Sequence, residues 1–145
     1  MQAAASELDV LRIEAGIPAM GRELTDDTIP AAAGIVDRSV SFTKGCYTGQ
    51  ELVARIDSRG GNVPQRLRAV AISRAAMPDG GLVGGEELVD ADGKSAGRVT
   101  SWAWSPEREQ TVGLAYVARR VDVPASLTVA GADGPVEVSE LPDIA

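Results

Sequence analysis

The densest chemistry in the chain lies in Lys44-Gly45-Cys46-Tyr47-Thr48-Gly49-Gln50-Glu51, where the single cysteine stands beside a lysine. Thr48 with Glu51 is a capping-box pattern, and Leu52, Val53 and Ile56 supply an apolar stripe. The spacing therefore predicts a helix over residues 49–58, stopped at Gly60. The unpaired N–H groups of such a helix start carry partial positive charge and Lys44 adds a full one, a setting that favours a thiolate. Cys46 is thus a candidate reactive thiol. The same residue types also fit a small apolar side chain tucked under the helix, and the residues alone leave both readings open. Gly45 and Gly49 allow a tight turn and the close approach of a ligand or partner. A second candidate is Glu14, in the last turn of an earlier helix. A carboxylate there works against the helix dipole, so it is either a solvated side chain or one with a specific use.

The elements that must position these groups follow from spacing. Ser6 with Asp9 opens a helix, Leu8, Leu11 and Ala15 recur at helical intervals, and Gly16 and Pro18 stop it, which gives a helix over residues 7–15. Residues 22–43 read as a meandering connection with one short helix or strand. After Asn62 the period changes. Residues 67–72, 87–90, 94–104, 111–117, 127–130 and 136–138 are short strand-like runs separated by Asp-Gly or Pro turns, and six such strands point to a small barrel. Val112, Leu114 and Tyr116 alternate with Thr111, Gly113 and Ala115, and Asp133-Gly134 signals a hairpin between the last two runs. Trp102 and Trp104 share one face of their strand and are expected to pack the barrel wall.

Composition excludes several functions. Apolar residues make up 44% and charged residues 24% of 145 residues, as in an ordinary globular protein. The net charge of −7 and a pI near 4.6 disfavour non-specific nucleic-acid binding. Without histidine, the chain has no imidazole metal ligand and no Ser-His or Cys-His pair, and no metal site is expected. One cysteine forms no internal disulfide, and no apolar run argues for export or a membrane, so a reducing cytoplasmic compartment is expected. Gly80 to Gly85 and Gly93-Lys94-Ser95 lack the context of a phosphate-binding loop and read as turns. Lys44, Arg55, Arg59, Arg66 and Arg68 form the one local concentration of positive charge. Taken singly, each fits a solvated face or linker.

Lys44 to Glu51 resembles the KGCYxGQE signature of the YgfZ family, a branch of the glycine cleavage T-protein (aminomethyltransferase) superfamily. Arg12-Ile13-Glu14-Ala15-Gly16-Ile17-Pro18 resembles its RxEAGxP segment. Gly97-Arg98-Val99-Thr100-Ser101, Ser105-Pro106 and Leu114-Ala115-Tyr116-Val117 are similar to the GxVTS, SP and LAYV elements of its C-terminal barrel. The resemblance implies an α+β chain. Residues 1–61 would be the end of a ferredoxin-like, folate-binding T-protein domain with its linker helix, and residues 62–145 a small antiparallel six-stranded β-barrel. It implies tetrahydrofolate or a related folate as cofactor, with Glu14 on the pterin and Lys44, Tyr47 and Arg55 as further contacts. A carboxylate suits the pterin, because its two oxygens accept a bidentate N–H pair. Arg55 and its neighbours would serve the folate glutamate tail or a phosphate-bearing partner.

It further implies a binding protein more than an enzyme. Cys46 would be the functional thiol, acting in iron-sulfur cluster assembly or repair and thereby in tRNA modification. The implied partners are folate, iron-sulfur proteins or assembly factors, and the N-terminal half of the family fold, which this chain does not supply. The alternative is a folate-dependent aminomethyltransferase. T-proteins carry an aspartate where Cys46 stands and a glutamate where Ala32 stands, and both departures point away from aminomethyl transfer.

Overall fold

The computed structural model describes residues 2–36, 43 and 62–143. Among these are helices α1 (Gln2–Glu14) and α2 (Pro30–Ala33) and strands β1 (Gln65–Ser73), β2 (Glu87–Val89), β3 (Ser95–Ser105), β4 (Gln110–Ala118), β5 (Ala125–Val129) and β6 (Val136–Ser139). The helix expected over 49–58, with Lys44, Cys46, Tyr47 and Arg55, lies outside the described residues.

Helix α1 begins earlier than the Ser6 capping pattern indicated. The Ala3-Ala4-Ala5 run has high helix propensity and extends the helix back to Gln2, which leaves Ser6 inside it. Asp9 instead pairs with Arg12 and Arg22. The C-terminal stop falls where the sequence puts it. Gly16 is left-handed, with φ of 70°. Its N–H donates to the Ile13 carbonyl at 3.0 Å and the Ile17 N–H to that of Arg12 at 2.8 Å, the paired bonds of a Schellman ending.

The six strands close into an antiparallel barrel in the order β1-β4-β3-β2-β5-β6. β1 and β6 complete the ring through Ala69↔Ser139 to Ala71↔Glu137. Closure removes free edges and makes two apolar layers. Val70, Ile72, Leu88, Ala96, Val99, Ala115, Val117, Leu127, Val129, Val136 and Val138 belong to the barrel core. Leu67, Val112 and Leu114 form a second cluster with Ile13 of α1, which is 1% exposed. Fully burying such an isoleucine contributes about 1.5 to 3 kcal/mol. β4 is therefore covered on both faces, and the Val112, Leu114, Tyr116 alternation marks the face toward α1.

Close approach fixes Gly113, where an added Cβ would stand 2.4 Å from the Ser101 carbonyl oxygen and 2.6 Å from Trp102. The hairpin between β5 and β6 exists, with Leu127 opposite Val136. Its left-handed residue is Gly131 (φ 80°) and not Gly134, and the Ala132 N–H closes the turn on the Val129 carbonyl at 3.2 Å. Gly134 has a packing role instead, since a Cβ there would lie 2.8 Å from that of Ala76. The glycine-rich stretch after Pro78 is a turn, as expected. The Glu86 carboxylate accepts the Val83 N–H at 2.7 Å and the Gly84 N–H at 3.0 Å. Among the described residues, no helix is long and apolar enough to cross a membrane.

Candidate functional site

The site is built where α1 crosses β3. In β3 the register slips between Val99 and Ser101, so Thr100 is an extra residue against β4. A bulge of this kind re-aims neighbouring side chains. Here it turns both hydroxyls of the Thr100-Ser101 pair onto one carboxylate, that of Glu23.

The Glu23 side chain is 0% exposed. Oε1 accepts the hydroxyl of Thr100 at 2.7 Å and that of Ser101. Oε2 accepts the Ala19 N–H at 2.9 Å and the Arg12 guanidinium at 3.1 Å. The backbone carbonyl of Glu23 takes the Tyr116 phenol at 2.8 Å. Burial raises the pKa of that phenol above its usual value, and the neighbouring Glu23 charge adds to the effect. Arg12 extends the network to Asp9 at 2.6 Å, Ser101 Oγ at 3.0 Å and the Ile17 carbonyl at 3.2 Å. Both charges are thus met by partners, and removing one partner of a buried pair commonly costs about 3 to 5 kcal/mol. Among the described residues no buried side-chain polar atom lacks a partner.

Two residues beyond Arg12, Glu14 faces the same strand further along. Ser105 donates its hydroxyl to Glu14 Oε1 and accepts the Arg108 N–H at 3.1 Å. The Arg108 Nε lies 3.9 Å from the same oxygen. Among the described residues Glu14 Oε2 accepts no hydrogen bond. Glu14 borders a groove of about 740 Å3 between α1 and β3, lined also by Leu11, Trp102, Trp104 and Pro106. That volume and lining are in the range of small-molecule sites. A carboxylate beside indole side chains offers both an acceptor and an apolar surface to a flat ring that carries N–H donors.

The two tryptophans differ. Trp102 packs on the barrel core and donates its indole N–H to Glu86 at 3.0 Å. Trp104 does not pack the wall as expected: it is 40% exposed, and the Arg74 guanidinium lies 5.5 Å from its ring centre. Of the remaining basic candidates, Arg68 is paired with Glu140. Reading the sequence singled out Glu14 but missed Glu23, which sits in the non-periodic 22–43 segment. The hydroxyl pair Thr100-Ser101 is the one signal for it. Among the described residues no cluster of acidic or cysteine side chains could hold a metal.

The glycine cleavage T-protein C-terminal barrel domain model matches residues 66–142. A chloroplastic protein of Arabidopsis thaliana, whose name describes a transferase, is 33% identical over 93% of this chain and 29% of its own length. An aminomethyltransferase of Corynebacterium jeikeium is 34% identical over 77% of this chain and 27% of its own length. The crystal structure of the glycine cleavage aminomethyltransferase T of Bartonella henselae superposes with a TM-score of 0.76 at 24% identity. It covers 92% of this chain and 37% of that one, and supports the fold. The chain thus spans under a third of the length of these two curated relatives. With its barrel matched along nearly its whole length, this chain belongs to the glycine cleavage T-protein superfamily.

Proposed function

We propose that the chain contributes one wall of a folate site, with Glu14 as acceptor for the pterin ring and tetrahydrofolate or a related folate as ligand. The observation that carries this reading is Glu14 itself. Ser105 donates to one of its oxygens, and the residue lines a groove shared with Leu11, Trp102, Trp104 and Pro106. The remaining walls would come from an upstream part of the T-protein fold, since the relatives are more than three times as long as the matched span. In this reading residues 1–61 complete the folate-binding domain and residues 62–145 are the barrel. Glu14→Gln replaces a charge-assisted acceptor with a weaker one and should cost about 1 to 3 kcal/mol of folate affinity. Calorimetry with tetrahydrofolate, on a chain carrying the upstream part, measures it. An unchanged dissociation constant would remove Glu14 from the site.

Within the superfamily we assign the chain to the YgfZ-like branch. The support is the signature Lys44 to Glu51, with Cys46 in place of an aspartate and Ala32 in place of a glutamate. Cys46 then acts as a thiol in iron-sulfur cluster maintenance, and through it in tRNA modification, with Lys44, Tyr47 and Arg55 around the folate. The aminomethyltransferase reading is favoured by the name of the Corynebacterium relative. Cys46→Ser separates the two, because it keeps the size but removes the soft sulfur ligand. The serine variant should fail to support iron-sulfur enzymes in cells that depend on the intact protein, with folding and folate affinity retained. Full support by that variant would withdraw the thiol chemistry and leave aminomethyl transfer as the reading to pursue.

A further inference from the structure

We infer that Glu23 is a positioning residue for Glu14: clamped by the Thr100-Ser101 bulge, it holds Arg12 and so sets the seating of α1 that points Glu14 into the groove. The inference rests on the folate reading for what Glu14 binds, but not for how Glu14 is held.

α1 touches β3 through two polar anchors four residues apart on one strand face, Ser101 and Ser105. Ser101 bridges Arg12 and Glu23, accepting from the former and donating to the latter. Ser105 holds Glu14. Arg12 and Glu14 are two residues apart on the last turn of α1, with the buried Ile13 between them. The apolar contact of Ile13 is non-directional, and by itself it lets the helix rock or slide along the strand. Arg12 removes that freedom, because its guanidinium is planar and its donors are fixed in a fork. The same group meets Asp9, Glu23, Ser101 and the Ile17 carbonyl that ends the helix. Glu23 is the centre of this arrangement. Its carboxylate accepts four donors from three separate parts of the chain: Arg12 on α1, Ala19 in the following loop, and the hydroxyls of Thr100 and Ser101 on β3. Glutamine at this position keeps one acceptor oxygen but places an NH2 group against donors, so either Arg12 and Ala19 or the two hydroxyls lose their acceptor.

The test uses the chain as it stands. Carbon-13 and proton NMR follow the Glu14 carboxyl resonance and the Trp104 indole N–H at neutral pH in wild type, Glu23→Gln, Arg12→Lys and the double variant. Asp90→Asn, which breaks a pair with Arg120 after β2, is the control. The expected result is that Glu23→Gln and Arg12→Lys each displace the Glu14 and Trp104 resonances. The double variant should go no further than the larger single change, because the two residues act as one unit. Resonances of β5 and β6 stay in place, and the control moves none of the Glu14 signals. If Glu23→Gln lowers the melting temperature while Glu14 and Trp104 stay where they are, the pair is structural support alone and the inference is overturned. Should Glu23→Gln fail to fold, Thr100→Val removes one of the two hydroxyls from Oε1 and decides the same question with a smaller displacement. Adding tetrahydrofolate at millimolar concentration separates this inference from the functional reading. Glu14 signals that respond to Glu23→Gln but not to tetrahydrofolate, even on a chain carrying the upstream part, overturn the folate reading and uphold the positioning. The opposite pattern overturns the positioning and upholds the folate reading.

Discussion

Individual carboxylates in this chain do different work according to what surrounds them. Glu23 is enclosed and fully partnered, Glu14 is half committed to Ser105, and Glu86 stitches a glycine-rich turn to a tryptophan. For Glu86, burial opposes ionisation, but the N–H groups of Val83, Glu86 itself and Gly84, with the Trp102 indole, outweigh it and hold the carboxyl below its ordinary value of 4.5. A carboxyl depressed in the folded state stabilises the fold above its unfolded pKa, and that contribution disappears as pH falls through the folded pKa. The turn over residues 83–86 should therefore be intact at neutral pH and loosen only below pH 4.5, the ordinary value. The Trp102 indole N–H resonance reports it directly. Glu86→Gln should make that resonance insensitive to acid over the same window. It should also lower stability at neutral pH by roughly 0.5 to 1 kcal/mol, allowing for the solvent screening of a partly exposed group. A Trp102 signal that titrates identically in the variant would show that another group drives the acid change.

At the scale of elements, legibility followed period and punctuation. The six strands could be read because alternation over four to eight residues is a local property, and their boundaries fall within about two residues of the observed ones. The stop of α1 could be read because Gly16 supplies the left-handed residue that a Schellman ending needs. Its start could not, because the capping signal at Ser6 is a local preference and the preceding alanines outvote it. What escaped most completely is the bulge at Thr100. Nothing in a run of strand formers says where the register will slip, because that is decided by β4 across the ladder, where Gly113 admits Trp102. The same slip places Ser101 and Ser105 toward α1 and leaves Trp104 at the groove, which is why its role could not be read from the strand alone. Glu14 was singled out through its motif, its role being the proposal made above, and Glu23 was not, since a buried carboxylate in a non-periodic connection has no local signature.

At the scale of the whole molecule, the described residues form a closed barrel with α1 laid across its outside, and this arrangement bears on what they can bind by themselves. The barrel interior is filled by side chains, so no ligand enters it. The groove beside Glu14 is bounded by α1 on one side and β3 on the other, with Leu8 and Leu11 of α1 still 67% and 60% exposed. Small-molecule sites of useful affinity bury about 70 to 90% of the ligand, and the two walls that the described residues supply leave much of a flat heterocycle in water. The loss of translational freedom on binding is then offset by few contacts. Tetrahydrofolate should accordingly bind residues 1–145 alone only weakly, with a dissociation constant of about 1 mM, or about −4 kcal/mol. NMR titration measures this, and the perturbed resonances should be confined to Glu14, Leu11, Trp104 and their neighbours. Affinity should rise when the upstream part of the T-protein fold is supplied, in line with the chain spanning only 29% and 27% of the Arabidopsis and Corynebacterium relatives. A dissociation constant below about 1 μM for the chain alone would correspond to twice that free energy. It would mean that residues 1–145 enclose the ligand without help, and that the groove between α1 and β3 is a complete site instead of one wall of a larger one.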